Sequence, residues 1–228
     1  MEPRIIAMWS GPRNISTAMM RSWGSRADTT VIDEPFYAHY LQQTQYDHPD
    51  ADKVIATYET DWRKVVTQLT GEIPHNKSIY YQKHMTHHML DHMDRSWMSQ
   101  VTNCFLIRDP RRMILSFAKV IPYPKADQMG LSQQVEIFQY VREMTGKIPP
   151  VISAKDVLTN PRETLGKLCD AVGVPFDDAM LRWKAGRHES DGIWSVHWYK
   201  SLENSTEFMP YQEDDKPVPD HLKPLLEE

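Results

Sequence analysis

The chain has 228 residues, 40% of them hydrophobic and 25% charged, which are ordinary values for one soluble globular domain with a full core. Its net charge of -5 argues against a broad surface for nucleic acid or for an acidic membrane. Its apolar runs are shorter than a membrane span or a signal-peptide core. The two cysteines, Cys104 and Cys169, suggest neither a disulfide framework nor a zinc site. We therefore expect a cytoplasmic protein with two buried free thiols.

Short apolar runs alternate with segments of helical spacing along most of the chain. The strand candidates are residues 5–9, 29–33, 78–82, 101–107 and 149–154. The helix candidates are residues 16–24, most of 36–75 around a polar loop at 47–50, the run after Pro110, and the run from the N-cap Asn160 and Pro161 to Gly173. This alternation is typical of parallel βαβ units. It predicts a single α/β domain over residues 1–228, with a central parallel sheet flanked by helices.

The composition changes after about residue 185, where Trp194, Trp198 and Tyr199 lie among polar residues. This change predicts an irregular lid over residues 185–209 and not a separate domain. Residues 210–228 are rich in proline and acidic residues, and we expect them to form a loosely held tail.

The first strand candidate runs into the segment Ser10-Gly11-Pro12-Arg13-Asn14-Ile15-Ser16-Thr17. A strand–loop–helix turn at this edge of a sheet offers backbone N–H groups and the positive end of a helix dipole to an anion. Arg13 and the two hydroxyls of Ser16 and Thr17 add further donors. The Gly-Lys-[Ser/Thr] ending of a Walker A loop is missing. On the loop alone, the segment is either an anion site or a helix N-cap by Ser10 or Asn14 beside a surface arginine.

A second basic segment follows the fourth strand candidate. Arg108-Asp109-Pro110 ends the strand, and Ser116 follows Arg108 by eight residues, about two helical turns. With the first loop, this segment resembles the sulfotransferase superfamily that uses 3′-phosphoadenosine-5′-phosphosulfate. In that family a Pro-[Lys/Arg] loop after the first strand binds the 5′-phosphosulfate, and the Arg and Ser of an Arg-[Asp/Asn]-Pro-x5-Ser segment bind the 3′-phosphate.

Further stretches of the chain extend this resemblance. Residues 154–175 look like the family's strand–helix unit, and Arg187-x4-Gly192-x-Trp194 has the spacing of its late loop over the nucleotide. His188, Glu189 and Ile193 depart from that late loop's pattern. Residues 10–21 and 83–88 resemble a bacterial sulfotransferase-like group. The resemblance implies a P-loop NTPase-like sulfotransferase fold and a set of donor-binding residues: Gly11, Pro12, Arg13, Asn14, Ile15, Ser16, Thr17, Arg108, Ser116, Arg187, Gly192 and Trp194.

Sulfonyl transfer also requires stabilised charge on the departing phosphate and a base for the acceptor. Arg13, Ser16 and Thr17 are placed to stabilise that charge. Glu34 directly follows the second strand candidate, and His84 ends the third, so each is a candidate base. The resemblance favours both, with Lys83 as a helper at the phosphosulfate. The alternative for Glu34 is a charge at the start of a helix.

Other functions remain open in the sequence. His84, His88 and His92 would share one face of a helix and could hold a metal, although the surrounding pattern lacks a His-Glu-x-x-His arrangement, and we expect no metal. A P-loop kinase, or a catalytically silent nucleotide binder on the same fold, are alternatives to a sulfotransferase. The acceptor would be a small molecule with a hydroxyl or an amine, and we expect residues 36–65 and the lid near 190–208 to line its pocket. The oligomeric state stays open, a homodimer included.

Overall fold

The computed structural model describes residues 2–200, 202–213 and 216–227. Ser201 of the predicted lid, Asp214, Asp215 and Glu228 of the predicted tail, and Met1 lie outside the described residues.

Five parallel strands form one sheet, in the order β2-β3-β1-β4-β5. Their bounds are β1 Arg4–Ser10, β2 Thr29–Asp33, β3 Ile79–Met85, β4 Thr102–Ile107 and β5 Val151–Ser153. All five strand candidates are confirmed, but β3 continues three residues further than the sequence pattern predicts. Since β1 lies at the centre, its carboxyl end is flanked by the ends of β3 and β4, which is where ligands bind in sheets of this kind.

Helices connect the strands and cover both faces of the sheet. Their bounds are α1 Ser16–Gly24, α2 Tyr37–Thr44, α3 Ala51–Thr57, α4 Trp62–Leu69, α5 Pro110–Phe117, α6 Leu131–Thr145, α7 Ala154–Thr159, α8 Pro161–Val172 and α9 Ser195–Trp198. As predicted, the Asn160 side chain caps α8, and Gly173 ends it in a left-handed conformation. None of the described helices has the length and apolar composition of a membrane span.

The alternating side chains of β1 divide the core into two layers. Ile6 and Met8 pack with α1 on one face, whereas Ala7 and Trp9 pack with α4 and α6 on the other. Both cysteines are buried and free, as expected. The predicted α/β class with a parallel sheet between helices is therefore confirmed.

The predicted loose tail is wrong for residues 216–227. Val218 and Leu222 are buried against α5, where they contact the cluster of Met113, Ile114 and Phe117. The apolar spacing of this segment, not its proline and acidic content, decides its position, because apolar contact with α5 removes these side chains from water.

Candidate active site

The carboxyl ends of β1 to β4 surround a cavity of about 320 Å³. Its walls combine the loop after β1, charged residues from the ends of β2, β3 and β4, and aromatic side chains. The lining residues are Pro12, Arg13, Asn14, Ile15, Ser16, Thr17, Ala18, Glu34, Tyr37, His48, Lys83, Met85, His87, His88, Arg108, Ser116, Phe117, Trp198, Tyr199 and Leu202.

The loop between β1 and α1 leaves the start of the helix without a side-chain cap. Ile15 is the N-cap residue, and among the described residues no side chain caps the first amides of α1. Asn14 instead accepts a hydrogen bond from the Ile15 N–H and donates to the Leu106 carbonyl at 3.0 Å. The N-cap interpretation for Ser10 or Asn14 is therefore wrong, and the uncapped amides fit an anion.

Gly11 has a packing role in this loop, and it does not line the cavity. A Cβ atom there would lie 2.4 Å from the Met113 side chain and 2.9 Å from the Met129 carbonyl oxygen. The following Arg13 adopts a φ of 55°, a left-handed conformation that is costly for a residue with a side chain. The close approach at Gly11 and the turn at Arg13 together direct the loop across the ends of β1 and β4.

Two arginines lie next to each other at the β4 side of the cavity. Arg13 donates from Nε to Ser116 Oγ at 3.1 Å and from Nη1 to the Trp198 carbonyl at 2.9 Å, and Arg108 donates to the Arg13 carbonyl. Within the described part of the chain, neither guanidinium forms an ion pair with a carboxylate. Burial lowers the pKa of both, and for Arg108 the neighbouring cations Arg112 and Arg13 lower it further. Two partly buried cations without a counter-charge make this side of the cavity attractive to a bound anion.

Lys83 lies at the centre of a buried charged cluster on the β3 side. Its Nζ donates to Asp33 Oδ1 at 2.7 Å, to Glu34 Oε1 at 2.5 Å and to the Tyr199 hydroxyl at 2.7 Å. Burial lowers the pKa of Lys83, but the two carboxylates outweigh it and hold the pKa above its usual value. The ammonium is therefore charged, and both acidic residues are required to stabilise it.

Glu34 presents its carboxylate to the cavity from the turn after β2. Its backbone has a φ of 43°, and its N–H donates to the Lys83 carbonyl at 3.0 Å, which fixes the side chain beside Lys83. Burial raises the pKa of Glu34, Lys83 lowers it, and the Asp33 charge raises it again, with a net rise. A carboxylate with a raised pKa in a ligand cavity has the character of a general base.

His84 does not reach the cavity, because neighbouring side chains of a strand point to opposite faces. Its ring stacks on Trp9 with centroids 4.4 Å apart, and its Nε2 contacts Gln82 Oε1 at 3.2 Å. Burial lowers its pKa to about 3. The structure thus brings Glu34 and Lys83 to the site and leaves His84 in the core.

Two residues of the late segment predicted to bind the nucleotide contact the buried cluster around Lys83. The Gly192 N–H donates to Asp33 Oδ2 at 3.2 Å, and Trp194 Nε1 donates to the Tyr199 hydroxyl at 3.2 Å. Arg187 donates to Ser195 Oγ at 3.1 Å. Gly192 and Trp194 thus help to hold Asp33 and Tyr199 in place, and none of the three residues lines the cavity. Their contact with a nucleotide stays a prediction.

The ranges 36–65 and 190–208, which were expected to line the acceptor pocket, supply Tyr37, His48, Trp198 and Tyr199 to the cavity wall. His87, His88 and Phe117 also line the cavity and were not predicted to do so. A signal existed for His87 and His88, because they come directly after β3. No group of three or more potential metal ligands occurs within residues 2–200, 202–213 and 216–227. The helical spacing assumed for a histidine metal site is wrong, because β3 includes His84 and a 3-10 turn spans Thr86–His88.

Comparisons with known proteins give a consistent family. The family model described as "Sulfotransferase domain" matches residues 3–224. Two Arabidopsis thaliana proteins are similar in sequence: "Branched-chain-amino-acid aminotransferase-like protein 1", 39% identical over 207 residues, and "Branched-chain-amino-acid aminotransferase-like protein 2", 35% identical over 224 residues. These matches cover 91% and 98% of this chain but 37% and 40% of the relatives, so the chain spans about two fifths of their length.

Solved structures of low sequence identity share the fold. The sulfotransferase domain from the curacin biosynthetic pathway has a TM-score of 0.55 at 15% identity, and the match covers 99% of this chain and 96% of that one. The sulfotransferase domain from the Synechococcus PCC 7002 olefin synthase has a TM-score of 0.57 at 15% identity, with coverage of 100% and 95%.

Replacing Lys83 by Met tests the buried cluster. The change leaves Asp33 and Glu34 side by side without a cation, so we expect the free energy of unfolding at pH 8 to fall by about 3–5 kcal/mol. A carboxyl group whose pKa is raised in the folded state stabilises the fold at low pH and loses that contribution as the pH rises through the raised pKa. The deficit relative to the unmodified protein should therefore be smaller at pH 5 than at pH 8, as measured by urea denaturation.

The control is Lys53→Met, because Lys53 pairs with Asp50 at the surface with 72% of its side chain exposed. We expect little change in stability at either pH for this variant. A Lys83→Met deficit of the same size at both pH values would contradict the assignment of Lys83 as the counter-charge of the cluster.

Proposed function

Because the chain belongs to the sulfotransferase domain family, we propose that it is an enzyme that moves a sulfonyl group from 3′-phosphoadenosine-5′-phosphosulfate to a hydroxyl or amine of a small acceptor. The observation that carries this proposal is that two adjoining arms of hydrogen-bond donors face one cavity beside a carboxylate of raised pKa. One arm is the loop with Arg13 and the uncapped start of α1, and the other is the pair Arg108 and Ser116.

The two arms fit a donor with two phosphate positions. The loop and the first amides of α1 suit a 5′-phosphosulfate, because backbone N–H groups and the helix dipole there have no competing side-chain cap. Arg108 and Ser116 suit a 3′-phosphate, because a guanidinium from the turn after β4 and a hydroxyl from α5 line the same cavity. The donor supplies the transferable sulfonyl group, and these residues bind and orient it.

Arg13 belongs to the first arm and contacts the second, which suits a role in stabilising charge on the departing phosphate. Its side chain bonds to Ser116 Oγ, and its own carbonyl accepts from Arg108. Preorganised donors of this kind are worth a few kcal/mol of transition-state stabilisation. Ser16 and Thr17 line the same stretch of the cavity, and we assign them to the same phosphate.

Glu34 is the base that the geometry favours. It lines the cavity and has a raised pKa, whereas His84 faces the opposite side of the sheet. We assign Glu34 to accept the proton of the acceptor group. Lys83 keeps the carboxylate oriented by the 2.5 Å contact and adds positive charge close to the phosphosulfate end.

Thermal denaturation with nucleotides tests the donor assignment. We expect adenosine-3′,5′-bisphosphate to raise the melting temperature far more than ATP with Mg²⁺, because only the former presents a 3′-phosphate to Arg108 and Ser116.

Arg108→Ala should weaken the binding of adenosine-3′,5′-bisphosphate by about 10–100-fold and the binding of AMP much less, since a charge-assisted hydrogen bond contributes about 1.5–3 kcal/mol. The control is Arg182→Ala, whose side chain is 82% exposed, and we expect unchanged binding. A larger shift with Mg-ATP would contradict the donor assignment and favour a kinase.

Glu34→Gln tests the base. The amide keeps the size of the side chain but cannot accept a proton, so kcat should fall by about 10²–10⁴-fold while adenosine-3′,5′-bisphosphate still binds. Because the pKa of Glu34 is raised, the acid limb of the pH profile of kcat/KM should lie above the usual range for a glutamate. This acid limb should disappear in Glu34→Gln. His84→Asn, assayed where the variant is folded, should keep kcat within about tenfold, since His84 contributes no proton transfer. Normal turnover by Glu34→Gln would show that another group is the base.

A further inference from the structure

The cavity has two chemically different ends. Along the sheet, β4 with Arg108 lies on one side of the central loop, and β2 and β3 with Glu34 and Lys83 lie on the other. The lining near Glu34 includes Tyr37, whose hydroxyl senses the Glu34 charge, and the lining also contains His48, Met85, His87 and His88. His48 in turn contacts the ring of Trp198, whose carbonyl accepts from Arg13. If the donor occupies the arginine end, as proposed above, the acceptor must occupy this second end.

Three side chains at the acceptor end form a hydrogen-bonded chain whose direction is fixed. Gln128 Oε1 accepts from the Lys125 N–H at 2.8 Å, so its amide nitrogen faces His48 Nε2 at 3.2 Å and donates to it. Neutral histidine carries one N–H, and it must therefore be on Nδ1. His48 Nδ1 lies 2.8 Å from the Tyr37 hydroxyl, which accepts that hydrogen bond.

This direction leaves the proton of the Tyr37 hydroxyl available to a ligand. Burial raises the pKa of Tyr37 well above its usual value, so the hydroxyl stays protonated, and burial lowers the pKa of His48 to about 4, so the ring stays neutral. The Tyr37 ring is held by stacking on His88, with centroids 4.8 Å apart, and by an edge contact with Trp194. Tyr37 is thus a rigid hydrogen-bond donor on the cavity wall.

The rest of this end is uncharged and has unused polar atoms. Burial lowers the pKa of His87 to about 3 and that of His88 further, so both rings are neutral at physiological pH. The Nδ1 atom of each is buried without a hydrogen-bond partner among the described residues. The carboxylate of Glu34 is already paired with Lys83, so an ammonium on the acceptor would find no free counter-charge in the lining residues.

We propose that the chain Gln128–His48–Tyr37 determines acceptor specificity, and that it selects uncharged hydroxyl compounds that present a second, hydrogen-bond-accepting oxygen to the Tyr37 hydroxyl. The reacting hydroxyl lies beside Glu34, and the second oxygen is a hydroxyl, an ether or a carbonyl. Tyr37 contacts the acceptor directly. His48 and Gln128 are positioning residues, because they act by fixing which way the Tyr37 proton points.

A series of acceptors on one scaffold tests this specificity. With saturating donor, kcat/KM is measured for 2-(hydroxymethyl)phenol, 2-methylphenol, 2-(aminomethyl)phenol and 2-hydroxybenzoate, and for the matching 2-substituted cyclohexanols. On each scaffold we expect kcat/KM for the uncharged compound with the second oxygen to exceed that for the methyl compound by about 2–12-fold, since one neutral hydrogen bond contributes about 0.5–1.5 kcal/mol. The ammonium and carboxylate compounds should be the poorest acceptors.

Tyr37→Phe removes the hydroxyl and should abolish the difference between the second-oxygen and methyl compounds, through KM more than kcat. Gln128→Leu should reduce that difference, and Gln128→Asn should restore part of it. The control is Tyr40→Phe, because Tyr40 lies on the same helix, does not line the cavity and has a hydroxyl without a partner among the described residues. We expect Tyr40→Phe to keep the difference in kcat/KM between the second-oxygen and methyl compounds.

The outcomes separate this inference from the proposed donor. Suppose that adenosine-3′,5′-bisphosphate binds. The specificity inference is then wrong, and the donor assignment stands, if the charged acceptors are preferred or if no uncharged acceptor is turned over. The same holds if the difference in kcat/KM between the second-oxygen and methyl compounds survives in Tyr37→Phe. If the nucleotide does not bind, the proposed function itself fails.

Discussion

The buried ammonium of Lys83 is the constraint on which the site depends. A cation in the interior must be paired, and the parallel register of β2 and β3 places Asp33 directly opposite Lys83. Glu34 follows in the next position, and its left-handed backbone turns the carboxylate back to the same Nζ atom. The cost of burying this charge is offset only when both strand ends are in register, so the cluster fixes the geometry of the β2–β3 side of the cavity.

The same cluster determines where the late segment of the chain lies. Tyr199 donates to Asp33 and accepts from Lys83, and the Gly192 N–H completes the hydrogen bonds of Asp33. A second buried ion pair, between Arg21 of α1 and Asp191 at 2.6 Å, holds the start of this segment. Trp198 is thereby brought to the cavity wall, where its carbonyl accepts from Arg13. The charged cluster on the β3 side and the arginine side are thus connected through one docked segment.

The sequence predicted those features that depend on neighbouring residues. The strands, the loop with Arg13, and the residues at or just after the strand ends, Glu34, Lys83 and Arg108, are predicted by local patterns and by the rule that the ends of parallel strands meet. These patterns do not determine which face of the sheet His84 occupies, because a shift of one residue along a strand moves a side chain to the other face.

Features that depend on packing between distant segments were missed. The chain from Gln128 through His48 to Tyr37 joins three loops or helices that no spacing relates. Gly192 and Trp194 match a family pattern by spacing, but that spacing does not reveal their hydrogen-bond partners, Asp33 and Tyr199. The proline and acidic content of residues 210–228 predicts a loose tail, whereas two apolar side chains, Val218 and Leu222, decide its docking on α5.

A crystal structure of the chain with adenosine-3′,5′-bisphosphate tests the central claim most directly. The account predicts the 5′-phosphate at the loop around Arg13 and the first amides of α1, with the 3′-phosphate within hydrogen-bonding distance of Arg108 and Ser116. It also predicts that Glu34 stays paired with Lys83 beside the vacant acceptor end. A nucleotide bound elsewhere, or one whose 3′-phosphate lies away from Arg108 and Ser116, would contradict the account.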